Sequence, residues 1–169
     1  LLPRWRGAAP IEHSLLNGDK QTGVTIFRLI NKIDAGPIIS QASILIESGI
    51  NKGSLLDKLN ILGQNLLINT LSDYCNDKVN LQEQDDTMVT YASKISNASR
   101  KIDFNDNVNN VFNKIRSFAP EPGAWFLFQK ERIKIIECNT VVRDCLPSII
   151  ENKEFHIGCQ GGLIAPRII

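Results

Sequence analysis

Apolar residues change their period along this chain, and each change marks an element. Val24 and Ile26, with Leu29 beyond them, alternate with polar neighbours as a half-buried strand does, and Ile38, Ile39 and Ile44 to Ile46 supply a returning partner. From Leu55 the period lengthens: Leu55, Leu59, Leu62 and Leu66 fall at helical spacing, Leu56, Leu67 and Leu71 widen the stripe, and Ser54 is the expected N-cap, with Asp57 near the positive end. Such a helix packs against a sheet. Gly63 inside it costs up to ~1 kcal/mol against alanine, which points to the close approach of a neighbour.

A second helical stripe, Val108, Val111, Phe112, Ile115 and Phe118, follows an expected cap at Asn105-Asp106 and stops at Pro120, Pro122 and Gly123. After it the period falls to two. Trp125 to Gln129, a turn at Lys130-Glu131, Ile133 to Cys138, Thr140 to Val142, Ile149-Ile150, Phe155 to Cys159 and Leu163 to Ile169 read as short strands, whose close spacing predicts a small barrel. Between the two halves, Leu81 to Thr87 is polar, carries three acidic and no basic residues, and has no apolar face. We therefore expect three parts: residues 1–80, a linker at 81–98, and residues 99–169. At the start, Leu1 to Pro10 reads as a loop leading into a short helix with Pro10 in its first turn and Asn17-Gly18-Asp19 as its stop. On that helix His13 is expected to face solvent.

With 169 residues and 43% hydrophobic content the chain has room for one domain of usual size or two small ones. Nineteen basic against eighteen acidic residues give net +1, so no overall field selects nucleic acid or membrane, and any basic surface is local. By parts, 8 basic and 7 acidic residues in 1–80 give +1, 1 and 3 in 81–98 give −2, and 10 and 8 in 99–169 give +2. Cys75, Cys138, Cys145 and Cys159 form no C-x-x-C pair and have no histidine at zinc spacing, so they read as idle thiols of a reducing compartment. No membrane span or signal peptide is legible, and a cytoplasmic protein is expected. The chain begins Leu1-Leu2-Pro3 without methionine and ends on an apolar stretch, so it reads as cut at both ends.

Asp34, at the end of a strand in Asp34-Ala35-Gly36-Pro37, is the candidate for chemistry, although the same four residues also make a plain turn. Arg4-Trp5-Arg6 is either a surface loop whose tryptophan covers a core edge or a cationic, aromatic face for an anionic or planar ligand. Lys130, Arg132 and Lys134 cluster on one hairpin, and with Lys114 and Arg116 they could bind a phosphate backbone or simply solvate a sheet edge.

Three ordered stretches, Leu1 to Pro10 (LLPRWRGAAP), Asn17 to Ile26 (NGDKQTGVTI) and Ile33 to Pro37 (IDAGP), closely resemble consecutive motifs of bacterial methionyl-tRNA formyltransferase. Thr90 to Ile95, Lys101 to Phe104, Ile115 to Phe118 and Pro122 to Ala124 resemble that family's linker and C-terminal domain, so the likeness covers nearly the whole chain. It implies an α/β fold: the C-terminal part of a Rossmann-like formyltransferase domain, then an OB-like β-barrel that binds tRNA. The implied reaction moves a formyl group from 10-formyltetrahydrofolate to the amino group of methionyl-initiator tRNA. No metal is implied, and the complete enzyme is expected to be a monomer.

In that resemblance Asp34 is the catalytic aspartate, Leu1, Leu2 and Pro3 line the folate site, and Ile33, Ala35 and Gly36 hold the pterin through backbone groups. Arg4, Arg6, Lys114, Arg116, Lys130, Arg132 and Lys134 are the expected RNA contacts. The family's asparagine and histidine fall just before the Leu-Leu-Pro segment, so this stretch carries Asp34 without them, and no measurable formyl transfer is expected of it alone. Two alternatives stay open: a folate-dependent formyltransferase acting on an amino sugar or purine precursor, and a non-catalytic RNA-binding remnant.

Overall fold

A computed structural model describes residues 1–144, 146, 147, 150, 151 and 155–169, with 150 and 151 described by backbone alone. Cys145 and Ile149 of the expectations above lie outside the described residues. The chain divides into two compact units: Leu1–Ser14, Asp19–Ser48 and Ser54–Lys94 make the first, and Leu15–Gly18, Gly49–Gly53 and Ile95–Ile169 the second.

The elements of the first half are β1 (Arg6–Gly7), α1 (Pro10–Leu16), β2 (Gln21–Phe27), β3 (Ile38–Leu45), α2 (Lys52–Cys75) and β4 (Tyr91–Ala92). β2 and β3 pair antiparallel from Gln21↔Leu45 to Phe27↔Ile38, with a bulge between Ile26 and Phe27, and the loop 28–37 joins them. Parallel pairing, expected of a Rossmann-like sheet, joins only β1 and β4 among the described strands, beside the isolated parallel bridges Lys101↔Trp125 and Asn107↔Gln160. Gly23 is required where it stands, because a Cβ there would lie 2.1 Å from the Ala42 carbonyl oxygen.

α2 begins at Lys52, so Ser54 lies inside the helix and is not its cap. Of the apolar stripe only Leu55 and Leu59 are fully buried; Leu56, Leu67 and Leu71 remain exposed. A two-stranded hairpin, with strands about 4.8 Å apart, is narrower than the stripe that has to be covered.

The second unit is built on α3 (Val108–Phe118), β5 (Ala124–Phe128), β6 (Glu131–Ile135), β7 (Glu137–Val141), β8 (Ile150–Glu151), β9 (His156–Cys159) and β10 (Gly162–Ile168). Asn107 caps α3, one residue later than expected, its side chain accepting from the Asn109 N–H at 2.9 Å. Val108, Val111, Ile115 and Phe118 meet Ala124, Phe126, Ile135, Ile157 and Ile164 in the core. The β5–β6 turn is Gln129-Lys130, both with positive φ (49° and 72°), which suits the twist of a two-residue hairpin.

The expected barrel does not close among the described residues. β7, β10, β9 and β8 form one antiparallel sheet and β5–β6 a separate pair. β10 pairs with β9 only as far as Ile164, and Pro166, with no N–H to give, stands opposite Cys138 next to a bulge. β5 has only the isolated bridge Lys101↔Trp125 on its second side. Cys138 and Cys159 are core residues, and burial pushes the Cys138 thiol up to about 12, so it stays protonated at neutral pH.

Ile115 is 1% exposed at the centre of this core. Ile115→Ala is expected to cost about 2–5 kcal/mol. Urea unfolding followed by Trp125 fluorescence in a Trp5→Phe background measures it, and a loss too small to resolve would show that the core rests elsewhere.

Candidate active site

Asp19, just after α1, gathers the start of the chain. Its carboxylate accepts from Arg4 Nε and Nη2 at 3.1 and 2.9 Å and from Trp5 Nε1 at 2.8 Å. The Arg4 guanidinium also lies 4.3 Å from the Trp5 ring centroid. Trp5 is held at φ 64°, a conformation a bulky residue adopts only when its surroundings over-determine it. His13 is half-buried, its ring tilted against Trp5 at 5.2 Å and Nε2 3.0 Å from the Ser93 carbonyl, so it faces solvent only in part. Gln41 adds a bond from Nε2 to the Leu2 carbonyl at 2.7 Å, fixing Leu1 and Leu2 over the β2–β3 sheet.

The loop 28–37 meets this segment through Asp34. Asp34 is left-handed, at φ 49°, and its Oδ2 accepts from the Gly7 N–H at 2.8 Å. Gly36 sets the depth of the loop, since a Cβ there would lie 1.7 Å from the Arg28 carbonyl oxygen. Gln84 closes it from the far side, with Nε2 donating to the Asp34 carbonyl at 2.9 Å and the Gly36 carbonyl at 2.7 Å. Residues 82–92 belong to the first unit, where Gln82 exchanges two backbone bonds with Ile38 (2.7 and 2.9 Å) and β4 pairs with β1.

A cavity of about 530 Å³ opens beside these residues, walled by Leu1, Leu2, Trp5, Val24, Asp34 and Gly63 among others. The structure therefore brings Leu1, Leu2 and Asp34 together at one cavity. Pro3, Ile33, Ala35 and Gly36 are not among its lining residues, and Ile33 is 76% exposed. Because Gln84 takes the Gly36 carbonyl, that group is engaged within the loop itself. Gly63 stands on the cavity wall, where a Cβ would lie an ordinary 3.5 Å from Val24, so no close approach explains it.

The expected RNA contacts separate into two sets. Arg4 is ion-paired to Asp19. Arg6, only 6% exposed, donates to Gln84 Oε1 through Nε (3.0 Å) and Nη2 (2.8 Å), so its fork points inward. Arg116 is likewise buried, donating to Asn113 Oδ1 and the carbonyls of Ile50 and Leu15, and burial lowers its pKa. Lys130, Arg132 and Lys134 are exposed, while Lys114 is half-buried with Nζ 3.1 Å from the Lys101 carbonyl. Lys134 stands opposite Trp125 and Arg132 opposite Leu127, which puts both on the face turned away from Phe126 and the core. Arg132 covers the Trp125 ring at 4.1 Å.

Comparison with known proteins gives this geometry a family. The family described as Formyl transferase matches residues 1–71, and that described as Formyl transferase, C-terminal domain, matches residues 94–169. The chain belongs to the formyl transferase family. A curated relative, the methionyl-tRNA formyltransferase of Pelagibacter ubique, is 42% identical over 159 residues, covering 94% of this chain and 51% of that protein. The chain thus spans about half the length of the curated relatives it matches. Among solved structures, the N-formyltransferase of Helicobacter canadensis in complex with folinic acid and dTDP-3-aminofucose superposes with TM-score 0.81 at 25% identity, over 98% of this chain and 62% of that one. HypX from Aquifex aeolicus in complex with tetrahydrofolic acid shares the fold, with TM-score 0.71 at 17% identity over 94% of this chain and 29% of its own.

Sequence reading missed Asp19 and Gln84, one taken for part of a helix stop and the other for linker. Their only signal was a side chain able to accept or donate several bonds at once.

Gly63, on the cavity wall, and Gly36, inside the 28–37 loop, should respond oppositely to alanine. Gly63→Ala is expected to stabilise by about 0.4–1 kcal/mol, since helix propensity improves without a clash, and its methyl narrows the cavity. Gly36→Ala drives a methyl into the Arg28 carbonyl and should destabilise by about 1–3 kcal/mol. Paired thermal melts test the contrast, and equal melting temperatures would refute it.

Proposed function

We propose that these residues serve the transfer of a formyl group from 10-formyltetrahydrofolate to the amino group of methionyl-initiator tRNA. The observation that carries this is the Asp34 carboxylate, oriented by the Gly7 N–H at the rim of the cavity walled by Leu1 and Leu2. The folate is read into that cavity because the Helicobacter canadensis and Aquifex aeolicus proteins were solved with folate compounds. The amine attacks the formyl carbon, a new C–N bond forms, the bond from carbon to the folate nitrogen breaks, and one proton passes from amine to leaving nitrogen. On this reading Asp34 takes the amine's proton on Oδ1 while Oδ2 stays on the Gly7 N–H. Ile33 and Ala35, on the same loop, are proposed to meet the pterin.

The identity to the Pelagibacter ubique enzyme, 42% against 25% for the Helicobacter canadensis protein, favours tRNA over an amino sugar as acceptor. On this reading residues 1–80 belong to the catalytic domain, 81–98 join it to residues 99–169, and the latter hold tRNA through Lys114, Lys130, Arg132 and Lys134. Arg6 and Arg116 drop out of that set because their donors are used internally.

In the full-length gene product carrying these residues, Asp34→Asn should lower formylation of charged initiator tRNA about 10²- to 10⁴-fold. A wild-type protein that formylates a nucleotide-linked amino sugar and leaves methionyl-tRNA untouched would overturn the choice of acceptor. For the basic hairpin, tRNA binding by residues 1–169 should weaken with salt at a log-log slope of about −0.7 to −0.9 per phosphate contacted. Lys130, Arg132 and Lys134 changed together to alanine should flatten the slope by about two to three units; superimposable curves would remove the hairpin from the contact surface.

A further inference from the structure

Gln84 uses its whole hydrogen-bonding capacity on one task. Its amide oxygen accepts both Arg6 Nε and Nη2, and its amide nitrogen donates to the carbonyls of Asp34 and Gly36. An amide has two acceptor lone pairs and two N–H groups, and here all four are matched. On one side it grips β1, whose Gly7 N–H bonds the Asp34 carboxylate; on the other it grips the backbone of Asp34 itself. The second partner of Arg6, Asp86, is 3.4 Å away and 91% exposed, so the amide oxygen is the close acceptor for a guanidinium that is 6% exposed.

We infer that Gln84 is a positioning residue: it sets the distance between β1 and the 28–37 loop, and thereby aims the Asp34 carboxylate at the cavity. Its catalytic meaning rests on the formyl-transfer reading; the clamp itself does not. Glutamine is the residue type the geometry demands. Glutamate would keep the Arg6 contact but turn acceptor oxygens toward two carbonyls, and asparagine would fall one methylene short of spanning both sides.

The test reads the clamp without turnover. In ¹⁵N-labelled 1–169, the Gly7 amide should exchange slowly, and its proton shift should follow the protonation of Asp34. Q84E should speed Gly7 exchange about tenfold and abolish the pH-linked shift, while β2–β3 amides keep their protection. Q84N should do the same, and Q82A, which touches Ile38 only through backbone, should do neither. Unchanged Gly7 exchange and titration in Q84E overturns the proposal. So does loosening of β2–β3 as fast as Gly7 in both Q84E and Q84N, because the residue would then merely hold the unit together. In the full-length protein, Q84E should lower kcat with little change in KM for tRNA, and a fall in tRNA affinity at constant kcat overturns the positioning role. Absent formyl transfer with the Gly7 signature intact would leave the clamp standing and remove the functional reading.

Discussion

The close approach of Gly36 to the Arg28 carbonyl fixes where the loop between β2 and β3 can lie, and the site follows from that position. With no Cβ in the way, the chain doubles back tightly enough for Arg28 N–H to bond the Pro37 carbonyl and for Ile38 to begin β3. Asp34 then sits at the apex, in a left-handed conformation that a short polar side chain tolerates. Nothing local holds its carboxylate in one direction; the Gly7 N–H, 27 residues away in sequence, does.

Around that contact the first unit is tied together by side-chain polar bonds, most of them partly buried. Asp19 satisfies Arg4 and Trp5, Gln84 satisfies Arg6, and Gln41 holds Leu2. Among the described residues no buried side-chain nitrogen or oxygen lacks a partner. Such networks are worth having only when complete, because one lost partner leaves a desolvated group. The second unit is stabilised in the opposite way, by an apolar core of α3 against its strands, with Arg116 as its buried cation on carbonyl acceptors.

The basic residues show how identity and exposure part company. Arg6 and Lys130 look alike in a charge count, yet one is buried under an amide oxygen and the other stands on a hairpin turn. Trp125 makes the same point: it is 8% exposed because Arg132 and Lys101 lie over its ring, so part of the basic face also serves as cover for an indole.

The sequence by itself determined the local elements and the family. Period two located β2, β3, β5 and β6, period 3.6 located α2 and α3, and the ordered motifs around Leu1, Gly23 and Asp34 pointed to formyl transfer, because periodicity and motif wording are properties of adjacent residues. Helix starts slipped: α2 begins at Lys52, ahead of the expected cap Ser54, and the α3 cap is Asn107 and not Asn105-Asp106, since a cap is decided by which side chain reaches an N–H. Only the tertiary structure decided that Arg6 and Arg116 point inward, that Leu56 and Leu67 stay exposed on α2, that Gly36 serves the loop's own packing, and that Asp19 and Gln84 matter at all. Arg6, Gln84 and Arg116 depend on partners 50 to 101 residues away, and even the nearer contacts of Asp19 and Gly36 are set by distance in space, to which spacing along the chain gives no access.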